Sequence, residues 1–200
     1  AVLTLSYSKT DVVCFEGNDG SIDLSIAGGT FPYSYSWSDG SILEDLSGLV
    51  AGSYDVLVTD INGCTINETI SIAEPSAALT ASAVLTNESC NGLADGIIDL
   101  TVSGGVAPYN FIWNNGNTNE DILGLVPGTY YVLVTDANGC SLQTSYEITG
   151  PLPLLVTGVK ADLKCFQSDD GTIDVNVFGG TAPFIYSWSN GSIKEDLTGL

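Results

Sequence analysis

Hydrophobic and polar residues alternate along several short stretches of the chain. In YSYSW, the aromatic residues Tyr33, Tyr35 and Trp37 take every second position, and serine fills the positions between them. The stretch SIDLSI at 21–26 alternates in the same way. Because successive side chains of a strand point to opposite faces, this pattern predicts half-buried β-strands. No stretch of useful length has the period of an amphipathic helix.

The segment YDVLVTD at 54–60 predicts a central strand, because Leu57 makes it apolar on both faces. Asn62 and Gly63 follow it, and both residues tolerate the positive φ of a hairpin turn. A tyrosine opens the segment, as at the corner of an immunoglobulin-like sandwich, where the tyrosine hydroxyl bonds back to the backbone. We therefore predict corner tyrosines and core tryptophans with structural roles: Tyr54, Tyr130, Trp37, Trp113 and Trp188.

The predicted elements recur with a period of about 75 residues, which indicates an array of modules. LVAGSYDVLVTDINGC at 49–64 returns as LVPGTYYVLVTDANGC at 125–140. A third register, marked by Gly179, Gly180 and Trp188, ends with EDLTGL and lacks that segment. We expect the chain to be part of a longer protein. The predicted domains are residues 1–74, 75–150 and 151–200, and the third is incomplete because it lacks its last two strands.

The fold prediction is all-β, with tandem immunoglobulin-like (fibronectin III/PKD-like) antiparallel β-sandwich modules. Hydrophobic residues make up 44% of the chain, which is too apolar for a disordered protein. The formal charge is −20, from 24 acidic and four basic residues. Such a surface repels phosphate backbones, so we exclude nucleic acid as a partner. Divalent cations are the natural counter-ligands of this charge.

A set of motifs recurs in each module: C-x5-G-x-I-D, then G-G-x-x-P-Y/F-x-x-x-W-x-x-G, E-D-x-x-G-L and G-x-Y-x-V-L-V-T-D-x-N-G-C. This set resembles the SprB-type repeat of Bacteroidota gliding-motility and cell-surface adhesins, and the resemblance covers essentially the whole chain. It implies export by type IX secretion and a location at the cell surface, extracellular and associated with the outer membrane. It also implies an extended filament of tandem modules.

The function we predict is a structural stalk, the repeat region of a very large surface adhesin that serves gliding motility and surface adhesion. The stalk would project an adhesive part away from the cell. Its expected partners are neighbouring repeats of the same chain, a polysaccharide or solid surface, and the export and motility machinery through other parts of the protein. The alternative is a carbohydrate- or surface-binding module that acts through loops at one pole of each sandwich. The loops of the modules are nearly equal, which favours the stalk.

Five cysteines indicate disulfides and an oxidising, extracellular setting: Cys14, Cys64, Cys90, Cys140 and Cys165. Pairing within modules would join Cys14 to Cys64 and Cys90 to Cys140. In an immunoglobulin-like topology, however, the two members of each pair lie at opposite poles, about 23 Å apart along a seven-residue strand. Disulfide Cα atoms lie within about 7 Å of each other.

Two further arrangements of the cysteines stay open. A bond across the junction of two modules would join Cys14 to Cys140 and leave Cys90 and Cys165 for cysteines outside this chain. Free buried thiols are the third arrangement. A zinc site is not expected, because histidine is absent and the cysteines of one module lie far apart in sequence.

Recurring carboxylates are the candidates for a calcium site, since calcium takes six to eight oxygen ligands. The calcium candidates are Asp19, Asp23, Asp60, Asp95, Asp99 and Asp136. The competing interpretation is that Asp60 caps a turn through its side chain, and that Asp19 does the same. No firm metal site and no cofactor is predicted, with calcium as the one candidate.

We predict that the protein is not an enzyme and has no catalytic residues. Without histidine, Ser-His and Cys-His arrangements are impossible. Paired carboxylates are plentiful, but each recurs at the same place in every module, which favours a structural role over a repeated active site. The tryptophans could instead form a platform for stacking sugars, but their alternation with core-facing tyrosines favours packing in the core.

Overall fold

The computed structural model describes residues 1–166 and 168–200. Across these residues, fifteen β-strands form five sheets of three strands each. The strand pairings are antiparallel, both between neighbours in sequence and across longer connections. The predicted all-β class, with antiparallel sandwiches in tandem, is confirmed.

The first repeat, residues 1–74, forms two sheets, with the orders β1-β2-β4 and β3-β5-β6. β5 is the central strand of the second sheet, and Leu57 is 44% exposed on its outer face. The strands are β1 Thr4–Thr10, β2 Gly20–Ala27, β3 Tyr33–Trp37, β4 Leu46–Leu49, β5 Gly52–Asp60 and β6 Thr65–Ile72.

The two sheets of the first repeat enclose one hydrophobic core. Alternate residues of β2 and β5 point inward, so that Ile22, Leu24, Val56 and Val58 are almost fully buried. Trp37 closes the core at the end of β3 and is 4% exposed. Burial of such side chains contributes about 1.5–3 kcal/mol each, so this cluster supplies most of the stability of the repeat.

The second repeat, residues 75–150, has the same elements in sheets β10-β8-β7 and β12-β11-β9. Its buried residues fall at the positions equivalent to those of the first repeat, as with Ile98, Trp113 and Val132. The strands are β7 Thr80–Thr86, β8 Gly96–Ser103, β9 Asn110–Trp113, β10 Ile122–Leu125, β11 Gly128–Thr135 and β12 Ser141–Ile148.

The third repeat, residues 151–200, forms a single sheet in the part of the chain that the structure describes. This sheet has the order β13-β14-β15, with the strands β13 Leu155–Ala161, β14 Thr172–Phe178 and β15 Leu197–Thr198. The aromatic stretch at 184–188, which corresponds to β3 and β9, is not a strand here. In the other repeats that strand pairs with β5 or β11.

Contacts between residues divide the chain into two compact units that do not follow the sequence period. The first unit combines Ala1–Ser82 with Thr101–Thr118 and Val132–Thr144, and the second combines Ala83–Leu100 with Asn119–Tyr131 and Ser145–Leu200. The borders after residues 74 and 150 remain predictions from the sequence. Among the described residues, we find no helix with the length and apolar character that a membrane crossing requires.

Candidate functional site

The loop between β1 and β2, residues 11–19, carries Cys14 at the lower end of the first repeat; we call it the cysteine loop. Its backbone is fixed at both ends by carboxylates. Asp19 Oδ1 accepts a hydrogen bond from Val13 N at 3.0 Å, and Asp11 Oδ1 accepts one from Ala73 N at 2.9 Å. The Ala73 amide, helped by the Lys9 ammonium, lowers the pKa of Asp11. Cys14 is therefore presented on an ordered loop.

The turn between β11 and β12, residues 136–140, carries Cys140; we call it and its equivalent at 60–64 the Asn-Gly turns. The carboxylate of Asp136 holds this turn. Its Oδ1 accepts hydrogen bonds from Asn138 N at 2.9 Å and Cys140 N at 2.8 Å, and its Oδ2 accepts one from Val106 N at 2.9 Å. Gly139 has a φ of 89°, which glycine adopts without strain.

The Asn-Gly turn of the first repeat has the same construction. Asp60 accepts hydrogen bonds from the amides of Asn62, Cys64 and Thr30 at 2.9–3.0 Å. These amides, the one at Cys64 first, lower the pKa of Asp60 although its side chain is almost fully buried. The two turns differ in one contact. The amide nitrogen of Asn62 donates to Thr30 Oγ1 of its own repeat at 2.9 Å.

A disulfide joins the cysteine loop of the first repeat to the Asn-Gly turn of the second. It links Cys14 to Cys140, with a Cα–Cα distance of 5.7 Å and a sequence separation of 126. Beside it, Asn138 Nδ2 donates a hydrogen bond to Val13 O at 3.0 Å. One covalent bond and one hydrogen bond therefore fasten the second repeat to the first, and both lie inside the first compact unit.

Pairing within modules is wrong in this structure, and the bond across the junction is the one that forms. Cys14 bonds to Cys140, while Cys64, Cys90 and Cys165 are free. The physical reason is the length of the central strand. β5 carries nine residues between the lower corner and the turn of Cys64, or about 30 Å at roughly 3.3 Å per residue. The three free cysteines are exposed, so the alternative of buried thiols is also wrong.

The corner tyrosines and the tryptophans serve the packing of each repeat. The hydroxyl of Tyr54 donates to Val50 O at 3.0 Å, and that of Tyr130 donates to Val126 O at 2.9 Å. Trp37 and Trp113 are buried, and Trp188 is half-buried. The indole nitrogens of Trp37 and Trp188 donate to backbone carbonyls of Leu43 and Lys194. None of these three rings lies open as a platform for a sugar.

The calcium candidates are dispersed, and most of them bind backbone amides. Asp95 accepts hydrogen bonds from the amide and hydroxyl of Ser89, which lower its pKa, and Asp19 plays the same part in the first cysteine loop. Asp23 and Asp99 are exposed on β2 and β8. Within the described ranges, no group of three or more acidic, cysteine or histidine side chains could hold a metal ion.

Sequence reasoning missed two residues of the joint and its equivalents. Asn138 reaches across to the Val13 carbonyl, and the only signal was the asparagine of the repeated D-x-N-G-C motif. Glu88 replaces the buried Val12 of the first cysteine loop. It is 3% exposed, and its Oε1 accepts a hydrogen bond from Ala94 N at 2.8 Å. A charged residue at a core position gave no pattern that could predict burial.

The chain matches the family model described as "SprB repeat" at residues 6–42, 82–118 and 157–193, which together make up more than half of it. The corner, the central strand and the Asn-Gly turn lie outside these ranges. No curated protein matches the chain.

Several solved structures of low identity are similar to the chain. The N-terminal eight Ig domains of Down Syndrome Cell Adhesion Molecule isoform 1.30.30 align over 74% of this chain and 25% of that one, with 12% identity and a TM-score of 0.41. Extracellular domains 3–5 of Drosophila OTK align over 92% and 84%, with 10% identity and a TM-score of 0.30. Domains 4–9 of the surface layer protein SbsC align over 98% and 38%, with 12% identity and a TM-score of 0.29. The chain thus spans a quarter of the first of these structures.

Proposed function

The chain belongs to the SprB repeat family, as its motifs predict, and from that premise we propose that it is a tension-resisting stalk segment of a large cell-surface adhesin. The stalk extends an adhesive part away from the outer membrane and serves surface adhesion and gliding motility after type IX secretion. Its immediate partners are neighbouring repeats of the same protein. A polysaccharide or solid surface and the motility machinery are contacted by other parts of the adhesin.

The observation that carries this proposal is the disulfide between Cys14 and Cys140. A pull on the two ends of the chain passes through this bond, so the residues between the two cysteines bear no tension. At about 3.5 Å per residue, the separation of 126 residues corresponds to about 440 Å of chain that cannot be extended. A joint of this kind suits a filament under load.

The same bond supports a location outside the cytoplasm. Disulfides form and persist in oxidising compartments, and reduced thiols are maintained in the cytosol. In the chain-entropy description, a cross-link of this span stabilises the folded state by about 4–5 kcal/mol. The acidic surface, with a formal charge of −20, further disfavours collapse of neighbouring stalks onto one another.

Single-molecule pulling on the full chain, attached by its two ends, tests the proposal. We expect the oxidised chain to release only the segments outside the disulfide, and the doubly substituted chain with Cys14→Ser and Cys140→Ser to release about 400 Å more. Cys64→Ser is the matched control, since that cysteine is free and exposed on the equivalent turn. Equal contour lengths for the oxidised and doubly substituted chains would refute the tension-resisting joint.

A glycan array with the same chain separates the stalk from the alternative of a binding module. A stalk gives no glycan-specific signal. Specific binding that survives the Cys14→Ser and Cys140→Ser substitutions would instead favour a binding module, because it would show a function independent of the joint.

A further inference from the structure

The junction between the second and third repeats contains only one half of the joint found higher in the chain. The cysteine loop of the second repeat, residues 87–95, has the same fixed backbone, since Asp95 Oδ1 accepts a hydrogen bond from Ser89 N at 2.9 Å. Cys90 is exposed and free on this loop. Among the described residues of the third repeat, no Asn-Gly turn faces it. One partner of a known pair is present without the other.

An apolar cavity lies next to Cys90. Its volume is about 560 Å³, and it is lined by Ser89, Cys90 and Asn91 on one side. The stretch from Pro151 to Leu154, together with Phe184, lines the other side. All of these residues belong to the second compact unit. The space lies where the joint of the first two repeats holds a turn.

The glycine pairs of the three repeats identify what occupies this space elsewhere. A Cβ atom built on Gly29 would lie 3.1 Å from Asp60 Oδ2, and one built on Gly105 would lie 2.7 Å from Asp136 Oδ2. These close approaches belong to the carboxylates that hold the Asn-Gly turns. The equivalent atom on Gly180 would meet only Leu154 and Phe184. The cavity thus takes the place of an Asn-Gly turn.

The inner face of the third repeat is open in the same region. Trp37 and Trp113 are 4% and 2% exposed, whereas Trp188 is half-buried. Likewise Ile22 and Ile98 are fully buried. Their equivalent, Ile173, is only partly buried. In the complete repeats, the strands that follow the tyrosine corner cover these side chains.

We propose that the third repeat and Cys90 form an acceptor site for a β-hairpin of the β11–β12 type, whose Asn-Gly-Cys turn docks against Gly180 and whose cysteine bonds to Cys90. The first strand of the hairpin pairs with 184–188, as β11 pairs with β9 through Val132 opposite Trp113. Its inward residues cover Trp188 and β14. The asparagine of its turn donates to the carbonyl of Ser89, as Asn138 does to Val13.

The covalent step is a thiol–disulfide exchange. The Cys90 thiolate attacks the hairpin sulfur of a mixed disulfide, and the other thiol of that disulfide leaves as a thiolate. No net oxidation occurs in this step, because the mixed disulfide brings the oxidising equivalents. Docking places the two sulfurs together, so the exchange favours Cys90 over the other free cysteines.

The test uses the full chain and a synthetic hairpin with the sequence of residues 126–149, whose cysteine is carried as a mixed disulfide with glutathione. Peptide mapping by mass spectrometry should find the hairpin on Cys90 at least tenfold more often than on Cys64 or Cys165. The matched control is a hairpin with Asp136→Ala and Asn138→Ala, which has the same thiol chemistry but no ordered turn. Equal labelling of the three cysteines, or equal labelling by the control hairpin, overturns the proposal.

A second measurement separates docking from disulfide chemistry. The chain with Cys90→Ser and the hairpin with Cys140→Ser cannot form the bond, but the strands can still pair. We expect slower hydrogen exchange at 184–188 and in β14 when this hairpin is added, and no change with the control hairpin. If neither the free hairpin nor the same sequence joined after Leu200 protects these residues, the acceptor site does not exist. The stalk proposal is untouched by that result, because it rests on Cys14 and Cys140.

Discussion

The first and third repeats share one sequence pattern but differ in how far that pattern is buried. Both have an aromatic stretch that ends in tryptophan, and both have a strand with alternating isoleucine and valine or leucine. Trp37 is 4% exposed between two sheets, whereas Trp188 is half-buried on one sheet. The alternation therefore specifies which side chains face inward, and the strands after the tyrosine corner determine whether that face becomes a core.

The largest expected effect comes from the two tryptophans at the centre of this comparison. Trp37→Ala removes a buried side chain from a closed core and should destabilise the first repeat by about 3–5 kcal/mol. Trp188→Ala, the matched control, should cost under about 1 kcal/mol because its ring is already partly in water. Hydrogen exchange resolved by region measures both in the full chain. Equal costs would show that the third repeat has a closed core after all.

The next effect concerns the disulfide, which the third repeat lacks. Cys14→Ser should lower the free energy of unfolding of the first compact unit by about 2–4 kcal/mol, because the unfolded chain gains freedom. Cys165→Ser should leave it unchanged, since that cysteine is free and exposed. Denaturant unfolding under non-reducing conditions makes the comparison. A similar loss for both variants would contradict a structural role for the Cys14–Cys140 bond.

A smaller effect is expected at the carboxylate that shapes the stapled turn. Asp136→Ala leaves three backbone amides without their acceptor and should cost about 1–3 kcal/mol. It should also reduce the yield of the Cys14–Cys140 disulfide, measured by alkylation of free thiols during refolding. Asp60→Ala disturbs the equivalent turn without touching the joint. Its disulfide yield should stay at the level of the unsubstituted chain.

The smallest effect is a dependence of stability on pH. Amides at Cys64 and Thr30 hold the pKa of Asp60 below its ordinary value. A lowered folded-state pKa stabilises the turn at any pH above the unfolded value of about 3.9, and the stabilisation is lost as the pH falls through the folded value. We therefore expect hydrogen exchange of the Cys64 amide, after correction for the intrinsic rate, to accelerate below about pH 4. Asp60→Asn should remove this acceleration, and an unchanged acceleration would assign it to another group.

Much of the fold could be predicted from the sequence, because alternation and turn residues act locally. The stretch YSYSW predicted the strand that ends at Trp37, and the Asn62-Gly63 dipeptide predicted the hairpin after β5. The cysteine pairing could not be chosen in this way. The repeat period favoured partners inside one module, the strand length favoured partners across a junction, and only the positions of the cysteine loop and the Asn-Gly turn decide between them.

Burial set by tertiary contacts was also beyond sequence reasoning. Glu88 lies in the core at a position where the first repeat has valine, because its carboxylate binds the amide of Ala94 in a loop of altered path. The partial exposure of Trp188 depends on strands that its own stretch of sequence does not contain. In both cases the deciding partner lies outside the local pattern.

The most direct test of the stapled joint is a peptide map of the oxidised chain under non-reducing conditions. The structure predicts one cross-linked species, in which the peptide containing Cys14 is joined to the peptide containing Cys140, with Cys64 recovered as a free thiol. A map that joins Cys14 to Cys64, or Cys90 to Cys140, would contradict the joint between repeats and the stalk built on it.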